Sequence, residues 1–153
     1  MDKATHLIEH ETMLLGRHHI SARRREGSLL DYSAYILLSR IRVVGPMSIR
    51  QLSDAFGLDA STLHRQTAAM LGDGLVERIP DPDGGIARKF RITAEGEYRL
   101  DHERQSIISG LEKILDAWTP DDVATFAAFL QRFNTDIERL SGRTWPRPDG
   151  TGD

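Results

Sequence analysis

Residues 46 to 96 constrain the fold most. There, two short helical patterns, a hairpin pattern and the start of a third helix follow one another with a stop signal at each junction. Pro46-Met47-Ser48-Ile49-Arg50-Gln51 opens the first helix. Ser48 can accept a backbone hydrogen bond, and Gln51, three residues on, can return one, which makes a capping box. Ile49, Leu52 and Phe56 recur at helical spacing, and Gly57 offers the left-handed residue that ends a helix, with Leu58 expected to pack back. Asp59 is then placed to cap a second helix whose inward face is Leu63, Thr67, Met70 and Leu71. Its outward face is Ser61, Thr62, His64, Arg65 and Ala68. Small hydroxyls and one arginine near a helix N-terminus suit a DNA major groove, because bulk would hold the helix off the base edges while arginine can fork onto guanine.

Gly72-Asp73-Gly74 closes that helix. Leu75-Val76-Glu77-Arg78-Ile79 and Arg88-Lys89-Phe90-Arg91-Ile92 then read as two strands around a Pro/Asp/Gly loop from Pro80 to Gly85, the pattern of a wing. Alternation puts Phe90 and Ile92 on one face and Lys89 and Arg91 on the other, so one side can pack while the other meets phosphate. Thr93-Ala94-Glu95-Gly96 starts the next helix.

The run Ile49-Arg50-Gln51-Leu52-Ser53, the Ser61-Thr62-Leu63-His64-Arg65 helix, Gly74-Leu75-Val76-Glu77-Arg78 and Ile92-Thr93-Ala94-Glu95-Gly96, in that order and spacing, resemble the MarR family of bacterial transcription regulators. No single motif is specific, but the ordered set is. The resemblance implies a mainly α fold with a small β wing: a winged helix-turn-helix flanked by N- and C-terminal dimerisation helices. The wing departs from the family, which usually carries an acidic residue followed two positions later by arginine. Here Asp81 and Asp83 are followed by Asp83 and Gly85, which leaves Arg88, further down the hairpin, as the candidate for minor-groove insertion.

At 153 residues, with 39% hydrophobic and 28% charged residues, the chain can bury one good core. The absence of cysteine excludes a disulfide framework and cysteine-oxidation sensing. No apolar run reads as a signal peptide or a membrane span, so the expected location is the cytoplasm. The formal net charge of −3 runs against a simple basic DNA binder, but its distribution does not. Residues 29–96 hold eight Lys/Arg and eight Asp/Glu, whereas residues 97–153 hold seven against eleven. Arg50, Arg65, Arg88, Lys89 and Arg91 can therefore form a local basic strip that a two-fold dimer presents twice.

The flanks read as helices in search of partners. From Lys3 to Arg25 one helix carries Leu7, Leu14 and His18 on one stripe, with Ile8, Leu15 and His19 beside it. Asp31 caps a second helix whose Tyr32, Ala34, Tyr35, Leu37, Leu38 and Ile41 cover a broad apolar arc, as a central packing helix requires. After Thr93 a long helix should run to Trp118. Thr119-Pro120-Asp121-Asp122 restarts a helix with a cap, an N1 proline and an acidic first turn. There Val123, Phe126, Leu130, Phe133, Ile137 and Leu140 step by three and four throughout. A stripe this long calls for a partner helix, and a homodimer seam of Leu7, Leu14, Val123, Phe126, Leu130, Phe133 and Ile137 is favoured over packing within one chain. The expected divisions are an N-terminal dimerisation helix (1–28), the winged helix-turn-helix (29–96), C-terminal dimerisation helices (97–140) and a frayed tail (141–153) anchored only by Trp145.

Other chemistries are poorly supported. His6 and His10 lie one turn apart beside Glu9 and Glu11, but without a clear third ligand they read as exposed helix residues, so neither a metal nor a cofactor is expected. Arg23-Arg24-Arg25 reads as a basic helix end more readily than as a phosphate contact. There is no nucleophile elbow, phosphate-binding glycine loop or His-Glu-x-x-His pair, so no enzyme is expected. The family resemblance implies a small aromatic effector, for which His18, Tyr32, Tyr35 and Trp118 are the pocket candidates, against core packing of the tyrosines. The sequence thus points to a dimeric, ligand-responsive repressor on a pseudo-palindromic operator in double-stranded DNA. A winged-helix protein-interaction module is the rival.

Overall fold

The computed structural model describes residues 2–22 and 30–148. Eight elements follow in the order α1 (Thr5–Ala22), α2 (Tyr32–Val44), α3 (Ile49–Phe56), α4 (Ala60–Gly72), β1 (Val76–Ile79), β2 (Lys89–Ile92), α5 (Ala94–Ile114) and α6 (Pro120–Ser141). The chain is mainly α with one antiparallel two-stranded wing, the winged helix-turn-helix arrangement.

Local chemistry sets most boundaries. Asp31 caps α2 by accepting the Ala34 N–H at 2.8 Å. Ser48 and Gln51 form the reciprocal capping box of α3, each side chain accepting the other's backbone N–H, at 3.2 and 2.9 Å. Gly57, at φ 63°, ends α3 in the left-handed conformation. Leu58 does not pack back as expected but stays exposed; the turn is closed instead by the Ser53 hydroxyl donating to the Leu58 carbonyl at 2.6 Å. Asp59 holds the N-cap position of α4 without a side-chain cap bond. Thr119 caps α6 by accepting the Asp122 N–H, with Pro120 in the first turn.

The core lies where α2, α3, α4, the wing and the start of α5 meet. Leu37, Leu38, Ile41, Leu52, Leu63, Met70, Leu75, Val76, Phe90 and Leu100 are all buried. α2 is the central helix anticipated from its broad apolar arc, packing on α4, β2 and α5. Arg42 fastens α2 to α5 by donating to Asp101 at 2.6 Å and to the Glu97 carbonyl at 3.1 Å. Met47 pairs with Phe90 through two backbone hydrogen bonds, which ties the entry to α3 onto the wing.

The start of α5 is held against the wing by a close approach at Gly96. A Cβ there would lie 2.2 Å from the Leu75 carbonyl oxygen, so the small residue lets the helix N-terminus sit against the chain leading into β1. Thr93 binds both partners: its hydroxyl donates to Gly74 O at 2.5 Å and accepts from the Gly96 N–H at 3.0 Å.

The terminal helices differ from this unit. Neither α1 nor α6 belongs to a closely packed pair of elements among the described residues. In α1, Leu7 and Leu15 are exposed and Leu14 is half-buried; α6 buries no residue at all. The expected limits of α1 shift to Thr5 at the start, and its expected end at Arg25, like the Arg23-Arg24-Arg25 run and residues 149–153, lies outside the described residues.

Two further expectations are corrected. α5 ends at Ile114, not Trp118, because the chain turns at Leu115, and Trp118 packs on Phe126 with ring centroids 5.6 Å apart. The segment after α6 is not frayed through Pro148. Gly142, at φ 71°, reverses the chain, and Trp145 sits edge-on against Phe56 at 5.4 Å.

Candidate nucleic-acid interface

α4 presents the face expected of a recognition helix. Leu63, Thr67 and Met70 are buried beneath it, and the Thr67 hydroxyl is satisfied within the helix by the Leu63 carbonyl at 2.7 Å, so the polar side chain needs no outside partner. Ser61, His64, Arg65 and Ala68 are exposed, and Thr62 is half-buried. Arg65 makes no ion pair among the described residues and borders a cavity of about 210 Å³ between α2 and α4, with Asp31, Ser33 and Asp73 on its other walls. Arg50, in the first turn of α3, is also exposed.

The wing brings further cations onto the same unit, but in different states. The register sets Glu77 opposite Arg91, and the two form an exposed ion pair at 2.5 Å. Lys89 reaches back to Asp81 at 3.4 Å, with both side chains largely buried. The Asp83 N–H donates to the Asp81 carboxylate at 2.9 Å. That bond, reinforced by Lys89, holds the Asp81 carboxyl below the usual carboxylate range. Arg88 is exposed and makes no ion pair among the described residues. Sequence alternation anticipated the faces of Lys89 and Arg91 but not their acidic partners, which depend on the cross-strand register and the fold of the loop.

The effector candidates are dispersed among these elements. Tyr35 packs half-buried on the core, Tyr32 is half-buried at the start of α2, His18 is exposed on α1, and Trp118 lies in the α5–α6 turn. Neither of the two described cavities is lined by any of the four. Among the described residues no three His, Asp or Glu side chains gather in a metal-sized group, and no helix is long and apolar enough to cross a membrane.

Sequence reasoning missed the contacts made by the chain after α6. Arg40 of α2 places its guanidinium 4.8 Å from the Trp145 ring centroid and donates to the Thr144 carbonyl at 3.3 Å. Glu138 of α6 accepts the Trp145 N–H at 2.5 Å and both terminal nitrogens of Arg147, at 3.1 and 2.8 Å. The Arg147 pair holds the Glu138 carboxyl below its ordinary range and raises Arg147. The only signal for this cluster in the sequence was one tryptophan in a Gly/Pro-rich stretch.

Comparison with known proteins agrees with this geometry. The family model described as MarR family matches residues 30–84, which cover α2 to β1 and the start of the loop that follows. The chain is 34% identical over 131 residues to the uncharacterized HTH-type transcriptional regulator YxaD of Bacillus subtilis (strain 168), an alignment spanning 84% of this chain and 91% of that protein. The fold superposes on a MarR family protein from Bacillus stearothermophilus with a TM-score of 0.70 at 17% identity, covering 90% of this chain and 99% of that one. It also matches the PcaV transcriptional regulator from Streptomyces coelicolor, solved in complex with its natural ligand, with a TM-score of 0.63 at 22% identity over 88% and 95% of the two chains. With the family model, the relative and the winged fold in agreement, this chain belongs to the MarR family of winged helix-turn-helix transcriptional regulators.

Proposed function

We propose that the protein is a homodimeric repressor that places α4 in the major groove of each half-site of a pseudo-palindromic operator. The observation that carries this reading is the outward face of exposed Ser61, His64 and Arg65 with half-buried Thr62, over buried Leu63, Thr67 and Met70. It offers rigid, short, hydrogen-bonding side chains with one arginine among them, as base-edge readout requires. Arg50, Arg88, Lys89 and Arg91 serve as phosphate contacts that position the unit. Lys89 and Arg91 first share their charge with Asp81 and Glu77, so Arg88 is the strongest of the wing contacts.

The dimer is assigned to α1, the distal part of α5 and α6. Phe126, Phe133 and Ile137 are each 43–48% exposed and follow one stripe, the kind of apolar surface that marks an interaction site. On this reading residues 1–28 and 97–140 form the dimerisation region around a DNA-binding region at 29–96.

The PcaV regulator, which shares this fold, was solved in complex with its natural ligand; a small effector, taken as aromatic from the family resemblance, is part of the proposal. Its site would involve His18, Tyr32, Tyr35 and Trp118 once two chains come together. It would act by favouring a spacing of the two winged units that the operator does not fit.

Competition titration with Arg65→Ala tests the central part. Loss of the guanine contact should cost about 1–3 kcal/mol on the cognate duplex and little on scrambled DNA. An equal loss on both would make Arg65 a phosphate contact, and no loss on either would favour a protein-interaction role for the α4 face.

A further inference from the structure

We propose that residues 142–148 are a latch tying the end of α6 to the helix-turn-helix, with Trp145 the positioning residue that fixes the spacing between the two DNA half-sites. The inference rests on the dimeric, DNA-binding reading above.

The latch begins where Gly142 turns the chain back from α6. Pro146 and Pro148 stiffen it, since each fixes its own φ. Its far side meets the winged unit at two places: the Trp145 ring lies edge-on against Phe56, the last residue of α3, and under the guanidinium of Arg40 on α2. Arg143 completes the approach by crossing the α3–α4 turn, so close that a Cβ on Gly57 would stand 2.7 Å from its Cζ.

The near side is held by Glu138. This carboxylate is on α6, yet its bonds run to the Trp145 N–H and to Arg147, both in the latch. Val123 and Glu138 are the most covered residues of α6, and among the described residues α6 packs closely on no other element. Contact between α6 and the winged unit is therefore concentrated in the latch.

This placement has a mechanical consequence. The dimer seam orients α6, while the operator orients α3 and α4. A winged unit joined to the seam only through α5 could pivot on that helix, whereas a second attachment at the end of α3 restricts the pivot. Coupling of this kind travels through packed side chains and hydrogen bonds joining two rigid elements. The latch should therefore act on the distance between the two recognition helices, not on the contacts that each makes with its half-site.

The test uses the full-length protein and duplexes that it enriches from a randomised pool, rebuilt with the half-site centres moved by one or two base pairs. Wild-type protein should prefer its own spacing. Trp145→Ala should remain dimeric and bind the original spacing within a few-fold of wild type, while its preference over the altered spacings falls about tenfold or more. Trp145→Phe, which keeps an aromatic edge on Phe56, should restore most of the preference. Glu138→Gln removes the charge of the Arg147 pair without removing the tryptophan, and should shift the preference in the same direction by less; it serves as the arbiter if Trp145→Ala does not fold. Unchanged spacing preference in folded Trp145→Ala, or in Glu138→Gln if the alanine variant does not fold, overturns the latch, as does an equal loss at every spacing. If the wild-type protein enriches single half-sites or no DNA, the dimeric operator reading fails and the latch role falls with it.

Discussion

The winged unit and α6 carry equally regular helical stripes, yet they bury them very differently. Leu38, Leu52, Leu63 and Leu100 are wholly buried in the first, while Phe126, Phe133 and Ile137 remain nearly half exposed in the second. Helix formation does not explain the difference, because α6 is well capped by Thr119 and begins with Pro120, Asp121 and Asp122. What differs is the supply of partners. Elements adjacent in the chain close over one another between α2 and the start of α5, whereas α6 packs closely on no other element among the described residues, its Phe126 meeting the Trp118 ring of the preceding turn. Periodicity shows which face must be covered, and only the fold shows whether the same chain covers it.

For the proposed dimer, the largest effect is expected at the α6 seam. Placing charge at Phe126 and Phe133 together, as Phe126→Glu with Phe133→Glu, should abolish the dimer at micromolar concentration, because each unpaired carboxylate would have to leave water. Sedimentation should then report the mass of the 17.2 kDa chain alone. A double variant that remains fully dimeric would remove α6 from the interface.

A smaller effect is expected in the core. Leu52→Ala should lower unfolding stability by about 2–5 kcal/mol through lost contacts and a residual cavity. Urea titrations at several protein concentrations separate this from the seam: the core substitution should lower stability by the same amount at each, since it acts within one chain. A loss that grows on dilution would merge the two regions into one cooperative unit.

The smallest effect belongs to the wing. The Asp83 N–H and Lys89 depress the Asp81 carboxyl, so its stabilising contribution is present above the ordinary carboxylate pKa and is lost as pH falls through the depressed folded value. In Asp81→Asn the amide shifts of Asp83 and Gly85 should lose that acid transition. An identical transition in the variant would assign it to another group.

Most local signals were legible in the sequence, although Leu58 does not pack back and Asp59 makes no side-chain cap bond. The Ser48/Gln51 box, the Gly57 stop, the Asp31 and Thr119 caps and the alternation around Phe90 are decided within a few residues, and each is present in the fold. The end of α5 was misplaced because apolar spacing continues through Trp118 after the helix has stopped; that ring is apolar for the sake of Phe126 in the next helix. The latch was hidden for another reason. Its bond from Arg40 to Thr144 spans 104 positions, and nothing near either residue announces the other. Likewise the basic pattern of Lys89 and Arg91 could be read directly, whereas their pairing with Asp81 and Glu77 needed the hairpin register.

On the proposed reading, the closed unit reads DNA while the uncovered helices bring two such units together. Selection from a randomised duplex pool by the wild-type protein tests both halves in one measurement. The enriched sequences should converge on an inverted repeat whose half-site centres lie about 10 base pairs, one helical turn, apart on the same face. Convergence on a lone half-site, or no enrichment over the starting pool, would contradict it.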